Sequence, residues 1–196
     1  MSGKVAGVLA LQGDFEAHAR ALNRVGVRAV EVRTSEELEQ VGGLVIPGGE
    51  STSMLKLIEY KNLMEPLRRF GQQRPIFGTC AGVILLATQV ENPAQPSLGL
   101  VDLTVERNAY GRQLDSRVTK LEDHLLENSE PLEAVFIRAP IIRRVGSGGR
   151  ILASYLDTPV LVDFGRHLVA TFHPELTSDS RVHSLFAARI GQNGEA

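Results

Sequence analysis

Val5-Ala6-Gly7-Val8-Leu9-Ala10-Leu11 is apolar at nearly every position, and that lack of alternation restricts the fold more than any other feature. A strand with one wet face alternates apolar and polar residues. A continuous run belongs to a strand covered on both faces. Gly43-Leu44-Val45-Ile46 and Pro75-Ile76-Phe77-Gly78-Thr79 repeat the pattern, and Val27 to Val32 is a further strand candidate. Helical spacing fills the gaps. Phe15, Ala19 and Leu22 mark a helix within Asp14 to Val25, with Gly26 as its stop. Ser51 is the expected N-cap of a helix through Glu59. Leu63 to Phe70 and Ala81 to Thr88 read as two more. This alternation predicts an α/β fold with a mainly parallel sheet and helices on both faces.

The second half is richer in strands. Candidates are Gly99 to Glu106, Ser116 to Leu121, Ala134 to Arg138, Ile151 to Ser154, Val160 to Phe164 and His167 to Phe172. Asp163 to His167 reads as a tight hairpin, and Ser180 to Ile190 as a closing amphipathic helix. Neither the loop Asn92 to Ser97 nor the Gly146-Ser147-Gly148-Gly149 turn marks a domain boundary. With 196 residues the chain suits one domain, 1–196, with a sizeable core.

Composition narrows the function classes. Charged residues make up 22% and net charge is −2, without a Lys/Arg run, so neither nucleic acid nor a membrane surface is an expected partner. No apolar run reaches the roughly 18 residues of a membrane-spanning helix, and Met1-Ser2-Gly3-Lys4 leads into a strand without the apolar stretch of a signal peptide. Cys80 is the only cysteine, so an intramolecular disulfide and a Cys-rich metal site are both excluded. A reducing cytoplasm fits such a chain.

That cysteine stands in Gly78-Thr79-Cys80-Ala81-Gly82, between an expected strand and an expected helix. The form Gly-x-nucleophile-x-Gly is a nucleophile elbow with Cys in place of Ser. Small neighbours permit the sharp turn, and the turn lifts the side chain to the carboxyl edge of the sheet, where open α/β folds bind ligands. A helix N-terminus favours thiolate over thiol. The amide of Ala81 would face a developing oxyanion. The alternative is a buried, inert cysteine.

A cysteine nucleophile needs a base. The histidines are His18, His124, His167, His173 and His183. His173 follows an apolar strand, and Glu175, two residues on across Pro174, is spaced to turn back and orient the imidazole. His18 and His183 read as surface or partner-facing helix residues, and His167 lies in the hairpin. Ile46-Pro47-Gly48-Gly49-Glu50-Ser51 leaves another strand end with two glycines, and Gly49 is the expected second oxyanion donor. A plain turn explains that loop equally well. Arg107 and Arg138 sit near strand ends, where a guanidinium could meet a substrate carboxylate. Read alone, surface charge or an ion pair explains them better.

The elbow together with His173-Pro174-Glu175 resembles the class I, triad-type glutamine amidotransferases, and within them the glutaminase subunit of pyridoxal 5′-phosphate synthase. The resemblance extends over Gly7 to Asp14, Ile46 to Thr52, Val105-Glu106-Arg107-Asn108-Ala109-Tyr110-Gly111-Arg112-Gln113, Phe136-Ile137-Arg138-Ala139-Pro140 and Phe172 to Thr177, nearly the whole chain. Val83 and Ile141-Ile142 depart from the usual pattern without touching the triad. The resemblance implies a flavodoxin-like three-layer fold and hydrolysis of L-glutamine to glutamate and ammonia. It implies Cys80 as nucleophile, His173 as base and Glu175 as its orienter, with Gly48, Gly49, Glu50, Arg107, Ile137 and Arg138 at glutamine-binding positions. It also implies a separate synthase (lyase) subunit, a (β/α)₈ barrel, as partner, and no cofactor or metal of the chain's own. A glutaminase serving another synthase, a cysteine hydrolase such as a peptidase on a similar fold, and a non-catalytic regulatory subunit remain alternatives.

Overall fold

The structure is a computed structural model that describes residues 4–108, 116–128 and 130–191. The chain runs β1 (Val5–Leu9), α1 (Phe15–Arg24), β2 (Arg28–Val32), α2 (Ser35–Glu39), β3 (Gly43–Ile46), α3 (Ser51–Tyr60), α4 (Met64–Gln73), β4 (Ile76–Thr79) and α5 (Ala81–Leu86). It continues through β5 (Ala87–Glu91), β6 (Val101–Glu106), β7 (Ser116–Leu121), β8 (Leu132–Ile137), β9 (Ile141–Val145), β10 (Arg150–Tyr155), β11 (Thr158–Phe164), β12 (His167–Ala170), a 3-10 turn (Pro174–Leu176) and α6 (Arg181–Ala187).

The central sheet has the order β10-β11-β12-β4-β3-β1-β2. From β12 to β2 every neighbouring pair is parallel, while β10-β11 and β11-β12 are antiparallel. Side chains leave alternate faces of a strand, so the continuous apolar runs feed two cores. Leu44 and Ile46 enter one core and Val45 the other; Val169 enters the first, Leu168 and Ala170 the second. Residues of α2, α3, α4 and α5 fill the first core, and those of α1 and α6 the second. The result is a three-layer α/β fold with a mainly parallel sheet. The small sheet β5-β6-β9 and the pair β7-β8 carry the extra strands of the second half. None of the described helices is long and apolar enough to cross a membrane.

Three local expectations fail. The helix expected from Ala81 to Thr88 ends at Leu86, and Ala87 to Glu91 form β5, paired in parallel with β6. Local helical pattern yields there to pairing between distant segments. The strand β9, which no sequence signal marked, lies antiparallel on the other side of β6. Ser51 does not cap α3. Glu50 does, its carboxylate accepting from the amides of Thr52 at 2.9 Å and Ser53 at 2.7 Å. Ser51 is instead the first helical residue and is buried, its hydroxyl on Gln95.

The hairpin at Phe164–His167 forms as expected. Phe186 on α6 is fully buried against Phe77 of β4, with ring centroids 5.7 Å apart. Replacing Phe186 by Ala should lower unfolding free energy by roughly 3–5 kcal/mol, measured by urea denaturation.

Candidate active site

The carboxyl ends of the parallel strands meet at one rim, and an open cleft of about 370 Å³ lies there. Its walls include Gly48 and Gly49 after β3, Cys80 and Ala81 after β4, His173 after β12, Arg107 after β6, and Ile137 and Arg138 at the end of β8.

The elbow is built by close packing. A methyl group on Gly82 would stand 2.2 Å from the Ile46 carbonyl oxygen, and one on Gly78 would stand 2.8 Å from Gly82 itself. Only glycines permit β4, α5 and the end of β3 to approach so closely. Cys80, between them, takes the positive φ of 49° that a side chain rarely adopts. Its amide donates to Ala170 of β12 at 2.9 Å, tying the elbow to the strand that delivers His173. Cys80 is only 6% exposed, and its sulfur lies 3.8 Å from the Ile137 carbonyl oxygen.

His173 and Cys80 close on the same point. A side chain on Gly48 would meet His173 Cε1 at 2.4 Å and Cys80 Cβ at 3.2 Å. Glu175 follows in the 3-10 turn, and its Oε1 lies 2.7 Å from His173 Nδ1. A carboxylate only accepts, so Nδ1 carries the proton and Nε2 is turned to the Cys80 side. Burial pulls the His173 pKa down, but hydrogen bonding to Cys80 and Glu175 and the charge of Glu175 outweigh it, and the imidazole is pushed up to about 10. Burial opposes ionisation of Glu175, yet His18 and His173 hold its carboxyl below the usual carboxylate range.

Other expected residues are placed with qualifications of role. Arg107 reaches the cleft wall, but its guanidinium donates to Thr52 Oγ1 at 2.8 Å and lies 3.6 Å from Glu50 Oε1. Glu50 lines the cleft with its carboxylate engaged in capping α3; those hydrogen bonds overcome desolvation and lower its pKa to about 2. Gln12 accepts from the Glu50 amide at 2.9 Å and so anchors the Gly48-Gly49 loop from β1. Gln12 lies in the Gly7 to Asp14 block of the resemblance but was not among the expected site residues. Ala109 to Gln113 of the Val105 to Gln113 block lie outside the described residues.

The largest departure concerns His18 and His183. Both are fully buried, not surface residues. Each hydrogen-bonds inward, so a polar ring sits on the core face of its helix. His18 Nε2 is 2.9 Å from Thr79 Oγ1 and 3.3 Å from Glu175 Oε2, and its Nδ1 is 3.0 Å from His183 Nε2. His167 is also buried and accepts from the Ile76 amide at 3.2 Å, outside the cleft.

The three-layer architecture is that of a glutamine amidotransferase. A solved structure described as a glutamine amidotransferase superposes with a TM-score of 0.87 at 46% identity, over 95% of this chain and 98% of that one. The pyridoxal 5′-phosphate synthase subunit PdxT of Solibacter usitatus is 58% identical over 191 residues, 95% of this chain and 100% of the relative. Its counterpart from Koribacter versatilis is 53% identical over 96% and 98%. The model of the SNO glutamine amidotransferase family matches residues 8–192, and the chain belongs to that family.

The raised His173 pKa has a consequence for stability. The imidazolium stabilises the fold fully below its unfolded pKa of about 6.5, and that contribution fades as pH climbs through about 10. The stability advantage of the native chain over His173→Gln should therefore shrink between those limits in urea titrations run across pH. In a second test, Gly82→Ala should destabilise by roughly 1–3 kcal/mol through its clash with backbone, measured by thermal unfolding.

Proposed function

We propose that this chain is the glutaminase subunit of a pyridoxal 5′-phosphate synthase, one domain over residues 1–196, hydrolysing L-glutamine and handing ammonia to a separate (β/α)₈-barrel synthase subunit. The observation that carries the chemistry is the convergence of Cys80, His173 and Glu175 at the carboxyl edge of the sheet, beside a cleft of substrate size. The identity of 58% over the full length of a PdxT relative supports the biological context. A cytoplasmic setting suits an enzyme that depends on one reduced thiol.

In this mechanism the Cys80 proton resides on His173 and the thiolate attacks the carboxamide carbon, forming the C–S bond. The amides of Ala81 and Gly49 receive the oxyanion. Ala81 opens α5, whose first N–H groups have no intrahelical acceptor. The C–N bond then breaks, and His173 Nε2 gives its proton to departing ammonia. Water adds to the thioester as His173 takes a proton, the C–S bond breaks, and glutamate leaves. Glu175 keeps the imidazole in the tautomer that serves both steps. Arg138 meets the substrate carboxylate; Arg107, held between Thr52 and Glu50, shapes the wall beside it, with Gly48 and Ile137 completing the pocket.

We infer that the Gly48-Gly49 loop, whose glycines permit more than one backbone orientation, completes the oxyanion hole only when the partner docks. A missing oxyanion donor lowers rate by roughly 10²–10³, so glutaminase activity should rise steeply when the synthase subunit is added. Equal rates with and without it would contradict the switch. Cys80→Ala should fold normally and release no ammonia from glutamine; ammonia release at the native rate would overturn the nucleophile assignment.

A further inference from the structure

Glu175 has two carboxylate oxygens, and His173 uses only one. Oε1 takes the His173 Nδ1–H, while Oε2 is buried and makes no aligned hydrogen bond among the described residues. A buried carboxylate oxygen without a donor is expensive. The group standing 3.3 Å from it is His18 Nε2.

The proton on His18 can be placed by elimination. If Nδ1 carried it, two lone pairs would face each other between His18 Nε2 and Glu175 Oε2, and the carboxylate would have no donor on that side. With the proton on Nε2, the N–H bonds Thr79 Oγ1 at 2.9 Å and its positive edge also faces Glu175 Oε2 at 3.3 Å. Nδ1 then accepts from His183 Nε2–H at 3.0 Å. The remaining orphan, His183 Nδ1, is a bare lone pair instead of an N–H. Burial lowers the pKa of both rings, His183 to about 3, so both are neutral.

The packing around the two rings is equally specific. Phe77 of β4 meets His18 edge-on at 6.1 Å and 87°, and His183 at 5.7 Å and 83°. The same strand ends at Thr79 and the elbow. Asp14 caps α1 and fixes the turn of helix from which His18 projects.

We infer that His18 is a positioning residue for the glutaminase reaction: bonded to Thr79, it presents its Nε2–H edge to the second oxygen of Glu175 and holds that carboxylate between two imidazoles, with His183 holding the required tautomer from behind. The clamp fixes the plane of the carboxylate and therefore the direction of the His173 ring. It rests on the triad reading above. It touches neither glutamine nor the reacting atoms, so its effect falls on turnover and not on substrate binding.

The test compares His18→Gln with His18→Asn in the full chain, with the synthase subunit present and ammonia release as the assay. A glutamine amide reaches the position of Nε2, and an asparagine amide stops at that of Nδ1. His18→Asn should lower kcat roughly 10-fold, the cost of leaving the buried carboxylate oxygen without a polar group facing it, with KM for glutamine little changed. His18→Gln should recover most of the loss. In a Glu175→Gln background, His18→Asn should add little further, because its effect runs through the carboxylate. Equal losses in both backgrounds, or equal rates for the Asn and Gln variants, would overturn the inference. Should His18→Asn not fold, His183→Phe leaves His18 in place and removes only the donor behind it. A lowered kcat at unchanged KM supports the clamp, and native kcat in that folded variant contradicts it. Ammonia release surviving in Cys80→Ala would instead sink the triad reading, a separate outcome.

Discussion

The contact between Gly82 and the Ile46 carbonyl holds the ends of β3 and β4 side by side, and the geometry of the site follows from it. With those ends together, the Gly48-Gly49 loop and the elbow face one another across the cleft. Cys80 is left with a positive φ, a strain of about 1–3 kcal/mol that the surrounding structure sustains through the Cys80 amide on Ala170 and the Val83 amide on the Cys80 carbonyl. The bond to Ala170 also aligns β12, which delivers His173. Sulfur and imidazole thus owe their proximity to parallel strand registry and to the absence of side chains at Gly48, Gly78 and Gly82.

Electrostatics then sort four neighbouring groups. Desolvation alone would leave His18, His173, His183 and Glu175 all uncharged. Glu175 breaks that symmetry because two imidazoles face it, and its charge in turn raises His173 while burial keeps His18 and His183 neutral. One proton is therefore stored on His173 next to the cleft, where the proposed mechanism passes it to departing ammonia, and the groups behind act as fixed dipoles. Buried charge of this kind is a weak source of stability; its value here lies in holding one tautomer and one ring orientation.

Much of this was legible in the residues. The runs at Val5, Gly43 and Pro75 announced strands covered on both faces because such strands have no wet side to encode. The elbow and His173-Pro174-Glu175 stood out because the residues of each motif are neighbours in sequence. What escaped was long-range. Ala87 to Glu91 follow a helical stretch and become a strand only through β6, and β9 is a strand only against β6 as well. Glu50 caps α3 in place of Ser51 because the helix begins one residue earlier than the hydroxyl suggested. His18 and His183 look like surface residues on amphipathic helices. Their burial depends on bonds to each other, to Thr79 and to Glu175, groups separated by up to 165 positions.

The central claim is that Cys80 is the atom that attacks glutamine in this cleft. Incubating the chain and its synthase partner with a glutamine analogue bearing an electrophile at the γ-carbon, then mapping the adduct by peptide mass spectrometry, addresses it directly. The account predicts stoichiometric modification of Cys80, loss of ammonia release in proportion, and protection by L-glutamine. Inactivation with Cys80 unmodified, or modification without loss of ammonia release, would contradict it.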